Sequence, residues 1–354
     1  MGTIQDLSGP LAGYGKAVRN GIQLRFDELN EQGNIHGRKL KLITEDSGYD
    51  PKRAVLAAQK LVNQDKIFIM AGHIGTAQNN AAMPVQFEKN IINFLPVTAA
   101  REMYEPFNRL KFYAAASYVD QVRAGINYLV KEKGKKNVCV MYQDTDFGKE
   151  ILEGAKEQTE KLKIKIVETA THKPTDQDFT ASLTKLKAAN CDLIVMGTIV
   201  RDTIIPYTAA RKSGWTDVTF LGSSATYDAA VGAAPGMDGF YGMGLTDMLY
   251  ADSDLPAVRK FYADYKAKFG KDPNVGAIYG YVGADLTVQG LKNAGKDLTL
   301  DSFIKGMEAI KDSKDLFGGP PATFGPNIRQ GANASFVAEV KNGKWVRLTP
   351  ALGF

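Results

Sequence analysis

The sequence predicts an α/β protein made of two doubly wound parallel-sheet lobes. Three observations carry the prediction. Short apolar runs alternate with amphipathic helical stretches along most of the chain. The runs Ile67–Ala71, Val138–Tyr142 and Leu193–Gly197 are continuously apolar, as strands covered on both faces are. The alternation also restarts after the run Ile91–Leu95, in a chain whose 354 residues exceed one ordinary core.

Each element has its own signal. Thr3-Ile4-Gln5-Asp6 reads as the tail of a first strand. A Gly-Pro turn at Gly9-Pro10 and a Gly13-Tyr14-Gly15 loop then open a long amphipathic helix, which stops at Asn30-Glu31-Gln32-Gly33. Leu40, Leu42 and Thr44 alternate with Lys41, Ile43 and Glu45, predicting a short strand. Asp50 before Pro51 is a helix start, with Val55, Leu56 and Val62 on the apolar side. A helix through Ala81, Met83 and Val85 precedes the strand Ile91–Leu95. In the second lobe, Val122, Ile126, Leu129 and Val130 mark a helix before Val138–Tyr142. Ile151, Leu152 and Ala155 mark the next helix, Ile164, Ile166 and Val167 a strand, and Leu183 and Leu186 the helix before Leu193–Gly197. Phe261, Tyr265 and Phe269 share one late helix, and Tyr281, Leu286 and Leu291 another. The chain ends in a hairpin, Phe336–Val340 and Trp345–Arg347, turned by Asn342-Gly343.

Composition is that of a globular protein, 44% hydrophobic and 23% charged. The net charge of +5 is mild and its lysines and arginines are dispersed, without the basic stripe of a nucleic-acid surface. No apolar run approaches the roughly 20 residues of a membrane span. Met1-Gly2 stands directly before the first strand, so the expectation is a mature domain trimmed of any leader. Cys139 and Cys191 read first as two small buried core residues; a disulfide is the alternative in an oxidising compartment. Three histidines, His36, His73 and His172, and no CxxC spacing predict no metal site. The run Gly290–Asp297 nearly matches a phosphate-binding loop, but Asp297 replaces the hydroxyl residue and a helix precedes it, so no nucleotide cofactor is expected. No nucleophile and base announce themselves, and no catalytic residue is assigned.

What remains is a set of polar loops at the C-terminal ends of predicted strands, where open α/β sheets bind ligands. They are Ser8–Gly15, Gly72–Thr76, Pro96–Ala100, Gln143–Gly148, Thr198–Asp202 and Ser223–Tyr227. Thr76 and Thr98 each sit at or just before a helix start, where a hydroxyl and free N–H groups make an anion site. Either they hold a carboxylate or they only cap helices. Tyr14 and Phe147 are pocket walls or core. His73 reads as a satisfied, partly buried loop histidine. Arg201 either grips an anion in bidentate fashion or pairs with Asp202.

The motifs S-G-P-x-A-x-Y-G, E-L-N-E-Q-G-N-I-H-G, D-P-x-x-A-V-x-x-A-Q-K-L-V, G-H-x-x-[ST], P-x-T, D-x-x-[YF]-G and A-R-x-x-G-W follow one another over essentially the whole chain. In order and spacing they resemble the leucine/isoleucine/valine-type (type I) periplasmic substrate-binding proteins of ABC importers. The resemblance implies two lobes joined by three crossovers, near Tyr118, Thr246 and Phe324, closing on a ligand by a hinge motion. It divides the chain into 1–117 plus 247–324 and 118–246 plus 325–354. It implies a monomer in the periplasm that hands a small ligand to membrane permease subunits, although the same fold also serves ligand-sensing receptors. Carried onto this sequence, the resemblance places Thr76, Thr98, Ala99 and Ala100 at the ligand carboxylate and Tyr14 and Phe147 as aromatic walls, and the expected site adds Ile74, Gly75, Val97, Tyr118, Ile199, Arg201, Ser224 and Tyr281. One departure stands out. Amino-acid binders of the family place an acidic residue in the loop after the strand equivalent to Phe220–Gly222, where it meets the ligand ammonium. Here that loop reads Ser223-Ser224-Ala225-Thr226. A desolvated ammonium without a counter-charge is costly. The expected ligand is therefore a carboxylate without an α-amino group, such as an aromatic or oxo acid, unless Asp120, Asp144, Asp146 or Asp247 supplies the charge. A branched-chain or other amino acid is the alternative.

Overall fold

The alternating strands and helices assemble into two sheets, each inside its own compact unit. The computed structural model describes residues 1–248 and 250–353. The first unit comprises Met1–Thr98, Glu102–Ala115 and Leu249–Ala332, and the second comprises Ala99–Arg101, Ala116–Met248 and Asn333–Phe354.

The first unit opens with strand β1 (Gly2–Gln5), helix α1 (Ala12–Glu31), β2 (Ile43–Asp46), α2 (Pro51–Gln59), β3 (Ile69–Ala71), α3 (Thr76–Glu88), β4 (Ile92–Phe94) and β5 (Lys111–Phe112). Its sheet is parallel throughout, in the order β2-β1-β3-β4-β5. The strand expected from Leu40 begins at Ile43, opposite Gly2. The reason is local: the Leu40 N–H and carbonyl both bond the Asn30 side chain at 2.8 Å, which ties that residue to α1 instead of the ladder. The third strand is likewise shorter than its apolar run, because the Ile67 N–H closes a turn onto Leu61. Asp50 and Pro51 start α2 as predicted, with the Asp50 carboxylate accepting the Arg53 N–H at 2.9 Å.

The second unit holds α4 (Tyr118–Lys133), β6 (Val138–Gln143), α5 (Asp146–Leu162), β7 (Ile166–His172), α6 (Thr180–Ala188), β8 (Leu193–Gly197), α7 (Val200–Lys212), β9 (Thr219–Gly222), α8 (Ala229–Ala233) and β10 (Tyr241–Gly244). The chain then returns to the first unit for α9 (Pro256–Phe269), α10 (Val275–Ala294) and α11 (Leu300–Glu308). It finishes in the second with β11 (Ala334–Lys341), β12 (Lys344–Arg347) and β13 (Leu352–Gly353). The second sheet runs β12-β11-β10-β9-β8-β6-β7, parallel from β7 to β10, with β13 also on β11. The terminal hairpin is antiparallel, and Asn342 and Gly343 both take positive φ, 53° and 75°, as a type I′ turn requires.

The last passage between units falls at Ala332–Asn333, eight residues beyond the position near Phe324 that the family pattern suggests. Packing explains the shift. Phe324 is fully buried against Phe112, the Arg329 guanidinium lies 4.6 Å over the same ring and bonds Glu308, and Gln330 donates to the Ala115 carbonyl. These contacts hold residues 325–332 in the first unit. That unit's core centres on Phe94, Phe112, Phe303 and Phe324. Fully burying such a ring contributes roughly 2–3 kcal/mol. Helix α1 crosses α10 so closely that a Cβ on Gly21 would meet the Ala277 carbonyl oxygen at 2.1 Å, and one on Gly280 the Val18 oxygen at 2.1 Å. Only glycine permits that approach.

Cys139 and Cys191 are joined in a disulfide, so the reading as two free core residues does not hold. Topology brings them together. Cys139 lies on β6 and Cys191 two residues before β8, the strand paired directly with β6, which leaves their Cα atoms 5.8 Å apart.

Candidate functional site

In the first unit, pairing continues past the ends of the strands. The Val97 N–H donates to the His73 carbonyl at 2.9 Å and the Gly75 N–H to the Val97 carbonyl at 3.2 Å, so Ile74 and Val97 form one more parallel bridge. This extension sets the loops after β3 and β4 side by side. It brings the Thr76 and Thr98 hydroxyls to 2.6 Å, both residues buried. The pair has two protons. One lies between the oxygens; the second is left to donate outward. Thr76 is the first residue of α3, behind Gly75 at φ 94°, and no side chain caps that helix. The capping-only reading of Thr76 therefore fails. Thr98 precedes a short 3₁₀ turn at Arg101–Met103 and caps no helix either. Asn79, which the sequence did not single out, braces the loop from below by donating to the His73 and Gly75 carbonyls at 2.9 and 2.7 Å. His73 differs from expectation. It is fully buried, neither ring nitrogen has a partner among the described residues, and burial pushes its pKa down to about 3.

Tyr14 lies inside the first turn of α1 instead of in a loop, and its ring packs on Gly276 at the start of α10. The α1 start is prepared by Asp6, whose carboxylate accepts the N–H groups of Gly9 at 2.6 Å and Leu11 at 2.7 Å. Gly15 passes so close to the Asp6 carbonyl that a Cβ would sit 2.1 Å from it. Tyr281 is committed elsewhere. Its hydroxyl donates to Glu28 at 2.7 Å, and its ring makes edge contacts with Phe261 and Phe317. Burial, then the Glu28 carboxylate, push its pKa well above the ordinary tyrosine range. It belongs to the packing of α1, α9 and α10, so its place in the expected site is withdrawn.

Beside these loops, Asp46 accepts from the Ser8 hydroxyl at 2.6 Å, from Leu7 and Gly48 N–H at 2.9 and 2.8 Å, and from Arg53. Burial pushes its carboxyl up, but these donors together pull it down to about 2. The folded-state pKa is thus depressed below the unfolded value. Its stabilisation is present above about pH 4 and is lost as the pH falls toward 2. With the side chain 27% exposed, we expect about 1–2 kcal/mol. Urea unfolding of Asp46→Asn should show that loss at pH 7, and the gap to the parent should narrow steadily toward pH 2.

In the second unit, Tyr118 opens α4 and Phe147 lies in the first turn of α5. Their buried rings meet edge to face at 5.0 Å. Ala99 and Ala100 are buried in the same unit, and the Ala99 carbonyl accepts the Tyr118 N–H at 2.6 Å. After β9, the Ser224 N–H donates to the Gln121 Oε1 at 2.8 Å, and Gln121 in turn donates to the Ala116 carbonyl. The Ser224 hydroxyl makes no hydrogen bond among the described residues. After β8, Ile199 is buried, and its N–H is taken by Asp202 Oδ1 at 2.8 Å. Asp202 Oδ2 meets His172 Nε2 at 2.6 Å and the Gln143 amide at 2.9 Å. With its oxygens so engaged, Asp202 does not pair with Arg201, which overturns that alternative. Arg201 instead donates to the Pro174 carbonyl at 2.5 Å, and its buried Nε has no partner among the described residues.

Two of the four carboxylates that could meet an ammonium, Asp120 and Asp247, are bonded elsewhere. Asp120 meets the Ser117 hydroxyl and Arg123, and Asp247 meets Arg347. Asp228, four residues past Ser224, caps α8 by accepting the Ala230 N–H at 2.7 Å, while its second oxygen is buried without a partner among the described residues. Burial pushes its pKa up despite the Ala230 N–H. A raised acid pKa costs stability that sets in as the pH rises past the unfolded-state value and is complete above the folded-state value. Asparagine caps as well as aspartate. Asp228→Asn should therefore be as stable as the parent or more so at pH 7. The difference should vanish below the ordinary carboxyl pKa of about 4. A clear loss at pH 7 in chemical denaturation would contradict this.

Two α/β units, each presenting polar loops at strand ends and offering hydroxyls, aromatic rings and helix starts, define a small-ligand binding protein. Residues 1–344 match the family model described as periplasmic binding protein, and the chain belongs to that family, whose neighbours here are the substrate-binding proteins of ABC transporters. Among curated relatives, a leucine-, isoleucine-, valine-, threonine- and alanine-binding protein of Pseudomonas aeruginosa is 23% identical over 82% of this chain and 77% of its own. Among solved structures, a branched-chain amino acid ABC transporter protein of Thermus thermophilus with bound valine superposes with TM-score 0.91, at 20% identity over 100% of this chain and 96% of the other. A solute-binding protein of R. palustris in complex with benzoate superposes with TM-score 0.86, at 19% identity over 100% and 97%.

Proposed function

We propose that this protein captures a small carboxylate lacking an α-amino group, such as an aromatic or oxo acid, and delivers it to the permease subunits of an ABC importer. The observation that carries the reading is the loop Ser223–Thr226, which offers hydroxyls where an ammonium would need a carboxylate, while Asp228 is used to cap α8. The ligand carboxylate is held by the outward proton of the Thr76–Thr98 pair and the uncapped amides of α3. Ala99–Ala100 adds backbone amides, Tyr118 and Phe147 form an aromatic wall, and Ser224 and Arg201 meet the rest of the ligand. Ile74, Gly75, Val97 and Ile199 shape the walls. The benzoate-bound neighbour supports an acid without an ammonium. The protein works as a monomer in the periplasm, and its disulfide fits an oxidising compartment.

A second reading, an amino-acid ligand, draws on the valine-bound neighbour and the Pseudomonas relative. Thermal shift against benzoates, phenylpropanoids, oxo acids and amino acids separates the two. A ligand at 100 times its dissociation constant should add about 2.7 kcal/mol of stability. Strong stabilisation by leucine or valine, with none by any acid, would sink the first reading.

A further inference from the structure

We propose that Arg101 and Glu157 are a positioning pair that holds the Ala99–Ala100 backbone against the Tyr118–Phe147 rings. The inference rests on the ligand role proposed above for those four residues. Ala99–Arg101 is a three-residue segment that groups with the second unit, while Thr98 before it and Glu102 after it group with the first. Only its last residue belongs to a regular element, the 3₁₀ turn Arg101–Met103, which continues into the first unit. Three anchors hold the segment. The Ala99 carbonyl accepts the Tyr118 N–H at 2.6 Å, the Arg101 N–H donates to Glu150 at 3.2 Å, and the Arg101 guanidinium grips Glu157 in bidentate fashion at 2.8 and 3.0 Å.

All three anchors lead back to the aromatic pair. Phe147, Glu150, Gly154 and Glu157 follow at spacings of 3, 4 and 3 and so share one face of α5. On that face Gly154 lets α5 press on α4, since a Cβ there would meet the Val119 carbonyl oxygen at 2.8 Å. Glu157 is also 3.4 Å from Arg123, which is 3.4 Å from Asp120, whose other oxygen accepts from Ser117, the cap of α4 just before Tyr118. An isolated surface ion pair contributes little. This one is bidentate, has only 29% and 31% of its side chains exposed, and belongs to a connected network. Lysine cannot reproduce the forked geometry.

The test begins without ligand. Hydrogen exchange at the Tyr118 amide should be about threefold to tenfold faster in Arg101→Ala and in Glu157→Gln. Amides in β6 and β8 should not change. Arg101→Lys should fall between, and the reversal Arg101→Glu/Glu157→Arg should restore protection. Titration calorimetry with benzoate and with valine follows. Whichever binds the parent should bind Arg101→Ala about threefold to tenfold more weakly and recover in the reversal. Unchanged exchange at Tyr118, or faster exchange with unchanged affinity, overturns the proposal. If neither compound binds the parent, the proposed function loses its support and the exchange result alone decides the anchor.

Discussion

Replacing Thr76 and Thr98 together with valine should leave the unliganded protein about as stable as the parent, yet cost it most of its affinity for a carboxylate. The two hydroxyls bond each other at 2.6 Å in a buried setting. Valine has nearly the shape of threonine, and replacing both partners of a buried hydrogen bond by apolar groups of that shape is nearly neutral. Either single change differs, because it strands the other hydroxyl and should cost about 1–3 kcal/mol of stability. Binding follows another pattern. A hydrogen bond to a charged group contributes about 1.5–3 kcal/mol, so the double variant should bind an acid roughly tenfold to a hundredfold more weakly. Calorimetric titration alongside urea unfolding of the two singles and the double makes the comparison. If the double variant unfolds easily, or binds as the parent does, the hydroxyl pair is not the carboxylate anchor.

Removing the Cys139–Cys191 bond should have the largest effect on stability. The bond closes 52 residues of sequence separation. For a loop of that size the chain-entropy account gives about 4 kcal/mol, and strain or residual structure commonly lowers the observed figure to about 2–4 kcal/mol. The cystine sits within the second unit's core, beside Met141, Ile194 and Phe220. Cys139→Ala/Cys191→Ala should thus lower the unfolding transition of that unit and leave the first unit's in place, since the two have separate cores. Denaturant unfolding with exchange monitored in both sheets would read this. Equal stability of parent and variant, or two free thiols titrated in the denatured parent, would contradict it.

Much of the architecture was legible because buried parallel strands leave continuous apolar runs, as at Val138–Tyr142 and Leu193–Gly197. Strand ends were read less well, since they depend on partners. Leu40 is held by Asn30, ten residues away, and nothing in its own alternation says so. In the site, Thr76 and Thr98 could be singled out from their place after apolar runs, but not their mutual bond, which the register of β3 on β4 creates. Tyr14 was misplaced because a Gly-Tyr-Gly triplet suggests a loop, whereas Asp6 starts the helix from upstream by accepting amides at Gly9 and Leu11. Tyr281 sat on a helix face with no hint that Glu28 would take its hydroxyl. Arg101–Glu157 and Gln121–Ser224, 56 and 103 positions apart, exist only once the helices pack.

That the loop Ser223–Thr226 offers no counter-charge for an ammonium is the central claim, and matched ligands test it most directly. Isothermal titration should compare leucine with 4-methylpentanoate, and phenylalanine with 3-phenylpropanoate, since within each pair only the α-amino group changes. An ammonium buried without a partner costs at least about 1.4 kcal/mol. In whichever pair fits the pocket, the acid without the amino group should therefore bind at least about tenfold more tightly. Tighter binding of the amino acid in either pair would contradict the account.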